Sequence, residues 1–148
     1  MRWSLKEFKT LTVDELYAVL RLRSEVFVVE QNCVYNDPDG IDPVSWHFMG
    51  WDNEQLVAYT RIIPPGISYV EASIGRVVTA SASRKSGIGR ELMQKSIDHT
   101  FYLFDCNAIK IGAQVYLQDF YISLGFTPCS DPYPEDGIPH IKMLLTRE

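Results

Sequence analysis

Arg84, Gly87 and Gly89 stand in an Arg-x-x-Gly-x-Gly spacing between a β-branched run and an amphipathic one. That combination can hold an anion. Glycines let the backbone approach a ligand without a Cβ clash, and successive N–H groups converge on phosphate oxygens. A following helix adds the partial positive charge of its N-terminus. Arg84, Lys85 and Arg90 fall within seven residues, which suits one compact anion such as a pyrophosphate better than a long polyanion. Taken alone, two glycines at this spacing equally describe an ordinary strand-to-helix turn. A Walker A loop is excluded because no Gly-Lys-Ser/Thr follows, and the dinucleotide fingerprint lacks its third glycine and its place after a first parallel strand unit.

The other chemistry-bearing residues are scattered. Glu71 and Ser73 share one face of a strand by the two-residue period. His47 and His140 could each relay a proton, hold a substrate or simply complete a structural hydrogen bond. Asp37, Asp39 and Asp42 have an incomplete calcium-like look, but an EF-hand loop ends on a Glu between two helices, whereas this run leads into a strand. Turn chemistry is the favoured reading, with attraction of a cationic amine as the alternative. Arg61 and Arg76, inside strands, are expected to face solvent or pair with carboxylates rather than recognise substrate. Cys33, Cys106 and Cys129 are odd in number and widely spaced, so they read as plain thiols rather than metal or disulfide partners.

These residues need elements to position them. Thr12-Val13-Asp14-Glu15 has capping-box spacing and opens a helix that continues to about Gln31. Strands follow near Trp46 to Trp51 and Gln55 to Ile63, with Asp52-Asn53-Glu54 as a tight connection, and then from about Glu71 to Thr79. A long helix starts near Gly87, its buried stripe marked by Ile88, Leu92, Ile97 and Phe101. Ala108 to Gln114 is a strand, a helix through Leu124 stops at Gly125, and a last strand runs near Ile141 to Thr146. Strands alternating with helices after a hairpin indicate one mixed α/β domain over residues 1–148.

Composition narrows the classes. A hydrophobic fraction of 46% and a charged fraction of 22% are those of an ordinary globular chain. No run approaches the roughly 18 apolar residues of a membrane span, and charges occupy the start where a signal peptide needs its apolar region. A net charge of -5 argues against nucleic acid as the main partner. Cytoplasmic residence is the expectation.

Order and spacing together carry a resemblance. Ile74-Gly75-Arg76-Val77-Val78-Thr79, then Arg84-Lys85-Ser86-Gly87-Ile88-Gly89, then Ile109 to Gln114, then Tyr121-Ile122-Ser123-Leu124-Gly125-Phe126 resemble the GNAT (Gcn5-related) N-acetyltransferase superfamily. The N-terminal half, with Leu22 to Gln31, Tyr35, Asp39-Gly40-Ile41-Asp42 and His47, looks like the ElaA-like subfamily, and Gly137-Ile138-Pro139-His140 adds to the match. The resemblance implies the acyl-CoA N-acyltransferase fold, a mixed central sheet with helices on both faces. It further implies transfer of the acetyl group of acetyl-CoA to an amine by direct attack, without a covalent enzyme intermediate and without a metal.

Val77, Val78 and Thr79 would then offer main-chain groups to pantetheine, beside a bulge near Val78, and Lys85, Ser86, Gly87, Ile88, Gly89 and Arg90 would surround the pyrophosphate with Arg84. Gln114, where many relatives carry Asn, would bond pantetheine. Tyr121 would assist the departing thiolate, Glu71 lies near where relatives place a catalytic carboxylate, and His47 is a second candidate for the base. The expected partners are acetyl-CoA and an unidentified amine acceptor, with a homodimer left open and neither nucleic acid nor membrane among them. The competing class is a non-catalytic acyl-CoA-binding domain of the same fold.

Overall fold

The chain opens on a strand that its own sequence hardly signals. In the computed structural model, which describes residues 1–147, β1 (Arg2–Glu7) pairs antiparallel with β2 (Trp46–Asp52). Trp3 stacks on Phe48 with ring centroids 5.2 Å apart and lies across Gly50, where a Cβ would come within 2.6 Å of its ring. Gly50 is therefore required by a close approach. The hairpin to β3 (Gln55–Ile63) forms as expected, with Asp52 opposite Gln55 and Asn53 at a φ of 55°. Asn tolerates that left-handed conformation better than most residues.

Helix α1 (Val13–Arg23) carries the expected capping box, Thr12 and Glu15 each satisfying the other's backbone N–H. Residues Ser24–Glu30 continue it, as the sequence indicated, but in the wider π form. The third strand of the sequence reading, β4 (Ser73–Thr79), completes a sheet ordered β1-β2-β3-β4. Helix α2 (Ile88–Phe104) leads to β5 (Ala108–Gln114), and α3 (Gln118–Ser123) ends before Gly125, whose φ of 105° closes the helix. Short strands β6 (Thr127–Pro128) and β7 (Tyr133–Glu135) then precede β8 (Ile138–Thr146), which begins earlier than its apolar run suggests. β8 pairs with β5, β6 and β7.

The sheets join at one parallel bridge, Ala72 with Ile109, where the Lys110 N–H donates to the Ala72 carbonyl at 2.9 Å. Beyond it β4 and β5 share no ladder. Val19, Leu22 and Val26 of the first helical segment pack against Met49, Trp51 and Tyr59 on one face. Ile88 and Leu92 of α2 pack against Phe48, Val57 and Ile62 on the other. A mixed sheet with helices on both faces is what the resemblance implied.

Candidate active site

Two features open the gap between β4 and β5. The first is the single bridge that joins them at one end. The second is a bulge in β4. Tyr59 faces Val78 and Arg61 faces Gly75, so Arg76 and Val77 together oppose Thr60. Arg76 adopts a φ of 49°, and the extra residue bends the strand away from its neighbour. The expected bulge near Val78 is thus at Arg76–Val77. The result is a cleft of about 590 Å³ lined by Ile74 to Thr79 on one side and Ile111 to Gln114 on the other.

Side-chain alternation gives the cleft two faces. Ala113 and Ile141, partners across β5 and β8, pack in one apolar cluster with Tyr121. Their neighbours Gln114 and His140 are also partners, so they point to the opposite face of the sheet. All of Gln114, His140 and Tyr121 line the cleft. It therefore runs through the sheet from the α3 side to the side of residues 30–35.

At the α3 side Tyr121 is 5% exposed and packed edge-on against Phe120 and Phe126 at 5.2 and 5.9 Å. Burial first, and then the nearby Tyr116, push its pKa up, so the phenol keeps its proton. Among the described residues no group accepts a hydrogen bond from its hydroxyl, and the residue lines the cleft.

The Arg84–Gly89 segment forms the strand-to-helix turn that its sequence suggests. Lys85 and Gly87 adopt left-handed φ values of 74° and 79° on either side of Ser86, whose Oγ donates to the Ser83 carbonyl at 2.7 Å. Helix α2 then begins with no side-chain cap, which leaves its first-turn N–H groups for a ligand. A Cβ at Gly87 or Gly89 would meet nothing within 4 Å, so both face open space. Arg84 and Gly89 line the cleft itself. Arg84 bonds Glu30 at 2.8 Å and the Thr79 carbonyl at 3.1 Å. Arg90 reaches Ser123 Oγ at 2.8 Å beside the Phe120 ring, tying α2 to α3. The Ile88 side chain belongs to the core, so only its backbone faces the cradle. Lys85 and Ser86 lie outside the cleft wall, on the exposed loop above it.

Across the cleft, Gln114 and Gln31 pair through both amides at 3.3 and 3.4 Å. Cys33 Sγ donates to the Asp136 carbonyl at 3.2 Å. Residues 30–33 therefore touch the cradle loop, β5 and the turn before β8.

Two residues proposed for catalysis are not brought to the cleft. His47 is 0% exposed, and its Nε2 donates to the Asp42 carbonyl at 2.9 Å while Nδ1 accepts from the Tyr59 hydroxyl at 2.6 Å. Burial depresses its pKa, and with both nitrogens engaged it fastens the 42–44 turn to β2 and β3. Glu71 precedes the Ala72 bridge at the closed end of the gap and does not line the cleft. Lining it instead are Glu30, Tyr35, Tyr116, Glu135 and His140, of which Tyr116 and Glu135 carried no sequence signal. Asp37, Asp39 and Asp42 are neutralised by Arg23, Arg61 and Arg76 through ion pairs of 2.7–3.3 Å. Arg61 and Arg76 thus pair with carboxylates, and Arg76 also lines the cleft.

Comparison with known proteins agrees with this geometry. The Acetyltransferase (GNAT) domain family matches residues 25–147. ElaA of Escherichia coli is 43% identical over 145 residues, covering 97% of this chain and 95% of that protein. The crystal structure of an acyl-CoA N-acyltransferase from Pseudomonas aeruginosa superposes with a TM-score of 0.93 at 41% identity, covering 99% of this chain and 100% of that one. An aminoglycoside 6'-N-acetyltransferase, solved in complex with coenzyme A, shares the fold with a TM-score of 0.73 at 18% identity, covering 97% and 96% of the two chains. With the family model spanning most of its length and a relative 43% identical along nearly all of it, the chain belongs to the GNAT family, in its ElaA-like branch.

Proposed function

We propose that this chain moves the acetyl group of acetyl-CoA to an amine of a small molecule or peptide, by direct attack within a ternary complex. The observation that carries this is the continuity of the site. The uncapped start of α2 opens onto the same cleft that passes between β4 and β5 to the buried, proton-bearing Tyr121. The coenzyme A bound by the aminoglycoside enzyme of like fold supports the choice of donor.

Each part then has a task. Backbone donors from Lys85 to Arg90 and the Arg84 guanidinium hold the pyrophosphate. Val77, Val78 and Thr79, on the β4 edge that shares no ladder with β5, and the Gln114 amide hold pantetheine. Tyr121 donates a hydrogen bond to the departing sulfur. The acceptor must lose a proton before attack, since a lysine-like amine of reference pKa about 10.4 is uncharged in roughly one molecule in a thousand at neutral pH.

A thiol-release screen with acetyl-CoA against polyamines, amino acids and peptides tests the reading. Steady release of CoA with some amine is expected; tight acetyl-CoA binding with no release for any acceptor would leave a binding domain instead. Arg84→Ala should weaken acetyl-CoA binding about tenfold, roughly 1.4 kcal/mol. Its pair with Glu30 is exposed and contributes little to stability, so thermal unfolding should not move. Unchanged affinity by calorimetry would take Arg84 out of the cradle.

A further inference from the structure

We propose that His140 is the proton acceptor for the attacking amine, with Glu135 as the carboxylate that stabilises the imidazolium it becomes. This rests on the acyl-transfer reading and deepens it. The His140 ring is buried to 8% exposure yet lines the cleft, on the face opposite Tyr121. Its Nδ1 lies 2.7 Å from the Ile138 carbonyl, which can only accept, so Nδ1 carries the proton and Nε2 keeps its lone pair. Glu135 Oε2 stands 3.5 Å from Nε2, and Tyr133 stacks on the ring at 6.0 Å. The Ile138 carbonyl fixes the tautomer that leaves Nε2 basic, and the carboxylate beside Nε2 stabilises the imidazolium once that nitrogen takes a proton.

Placement decides between the histidines. His47 has both nitrogens bonded inside the protein, and His99 packs on Phe48 on the α2 side. Only His140 pairs a cleft position with an unspent nitrogen. The amine adds to the face of the thioester carbonyl while the sulfur lies in its plane, so base and thiolate partner are separate groups, and the gap provides them: Tyr121 on one face, His140 on the other. The groups facing the ring are Glu135 and Tyr133 from β7 and Gln114 from β5. Lys142, two residues along the same face, is drawn over the Tyr69 and Tyr133 rings at 5.7 Å. Asp136 follows Glu135 in the turn and also lines the cleft.

In the proposed step the amine nitrogen bonds to the acyl carbon and the carbon–sulfur bond breaks. One N–H proton passes to His140 Nε2, which returns it to solvent. The sulfur leaves as a thiolate that accepts a hydrogen bond from Tyr121 and takes its proton from solvent. An acceptor arriving as an ammonium first loses one proton to solvent through the same nitrogen.

The full-length His140→Asn variant keeps a donor for the Ile138 carbonyl and removes the base. Its kcat should fall by about 100-fold, the ascending limb of the pH–rate profile should vanish, and acetyl-CoA affinity should stay within about threefold. Free imidazole should restore part of the activity of His140→Gly. In the wild-type protein, acetyl-CoA should shift the imidazole nitrogen resonances of His140 and leave those of His47 and His99 in place. Turnover near wild type with the limb intact would overturn the assignment of His140 while leaving acyl transfer standing. Absence of turnover in the wild type, with acetyl-CoA bound, would remove both. Should His140→Asn not fold, Glu135→Gln decides. It should lower kcat about threefold to tenfold with little change in the KM for the amine, and an unchanged kcat would count against the pair.

Discussion

Replacing Arg23 by alanine should destabilise the chain by about 3–5 kcal/mol, the usual cost of leaving buried carboxylates without their partner. The side chain is 0% exposed. Its Nε donates to Asp37 at 2.8 Å, its Nη1 to Asp42 at 2.7 Å and its Nη2 to the Asp37 carbonyl at 3.2 Å. Burial by itself would lower the Arg23 pKa, but the hydrogen bonds and charges of Asp42 and Asp37 outweigh it and hold the guanidinium charged. Arg23→Lys should recover little, because a single ammonium cannot fork between two carboxylates. Arg23→Met paired with Asp37→Leu should cost less than Arg23→Ala, since it removes charge from both sides. Urea unfolding measures all three, and a loss below about 1 kcal/mol for the alanine variant would show that Arg61 and Arg76 suffice.

The same cage predicts an acid dependence. Burial raises the Asp39 pKa, yet the hydrogen bond and charge of Arg61 overcome this and hold it at about 2, below its ordinary 3.8. Asp42 is held down in the same way by Arg23 and Arg61. A carboxyl depressed in the folded state stabilises the fold above its unfolded pKa and loses that contribution as pH falls through the folded one. Stability should therefore be flat above about pH 4 and fall between about pH 4 and 2, with Asp39→Asn flattening the slope.

The cage also reaches the active site. Asp37 accepts from Arg76 Nε at 2.9 Å, and its carbonyl accepts from Arg76 Nη2 at 2.9 Å. Arg76 is the left-handed residue of the bulge, a conformation that costs a non-glycine residue roughly 1–2 kcal/mol. The aspartate run, read from sequence as turn chemistry, thus holds in place the bend that opens the cleft.

What was legible and what was not divides along local and tertiary lines. The β2–β3 hairpin shows because two largely apolar runs flank a turn-favouring Asp-Asn pair in adjacent residues. The cradle shows because its glycines, its cations and the helix stripe after it are contiguous. β1 alternates polar Arg2, Ser4 and Lys6 with apolar Trp3 and Leu5, a strand signal that its shortness leaves weak, and its pairing depends on β2, which begins at Trp46. β7 hides behind Pro134 and its three-residue length. The widening of Ser24–Glu30 to a π-helix changes no residue's polarity, so the pattern reads as one continuous helix. His47 and His140 are equivalent as letters. Only the strands around them bury one against Tyr59 and leave the other's Nε2 at the cleft. Glu71 stays outside the cleft because the sheets close at the next residue, Ala72, and a single bridge has no sequence signature.

Tyr121→Phe should lower kcat by at least about tenfold, which is about 1.4 kcal/mol of transition-state stabilisation, and leave acetyl-CoA affinity almost unchanged. The substitution removes one hydroxyl that no group of the described residues accepts, so the fold should keep its stability within about 0.5 kcal/mol. The ring stays to pack Phe120 and Phe126. A tyrosine of reference pKa about 10 facing a thiol of about 8.5 already makes full proton transfer uphill by roughly 2 kcal/mol. Burial raises the Tyr121 pKa further, and that widens the gap. In the proposed mechanism the phenol therefore donates a hydrogen bond to sulfur as charge builds there, an interaction present in the transition state and weak in the ground state. That difference predicts a loss in kcat rather than in KM. It also predicts that an acyl donor with a better leaving thiol, such as an aryl thioester of a pantetheine analogue, narrows the gap between variant and wild type. Equal turnover of the two proteins with acetyl-CoA would take Tyr121 out of the chemistry and leave it a core tyrosine under the sheet.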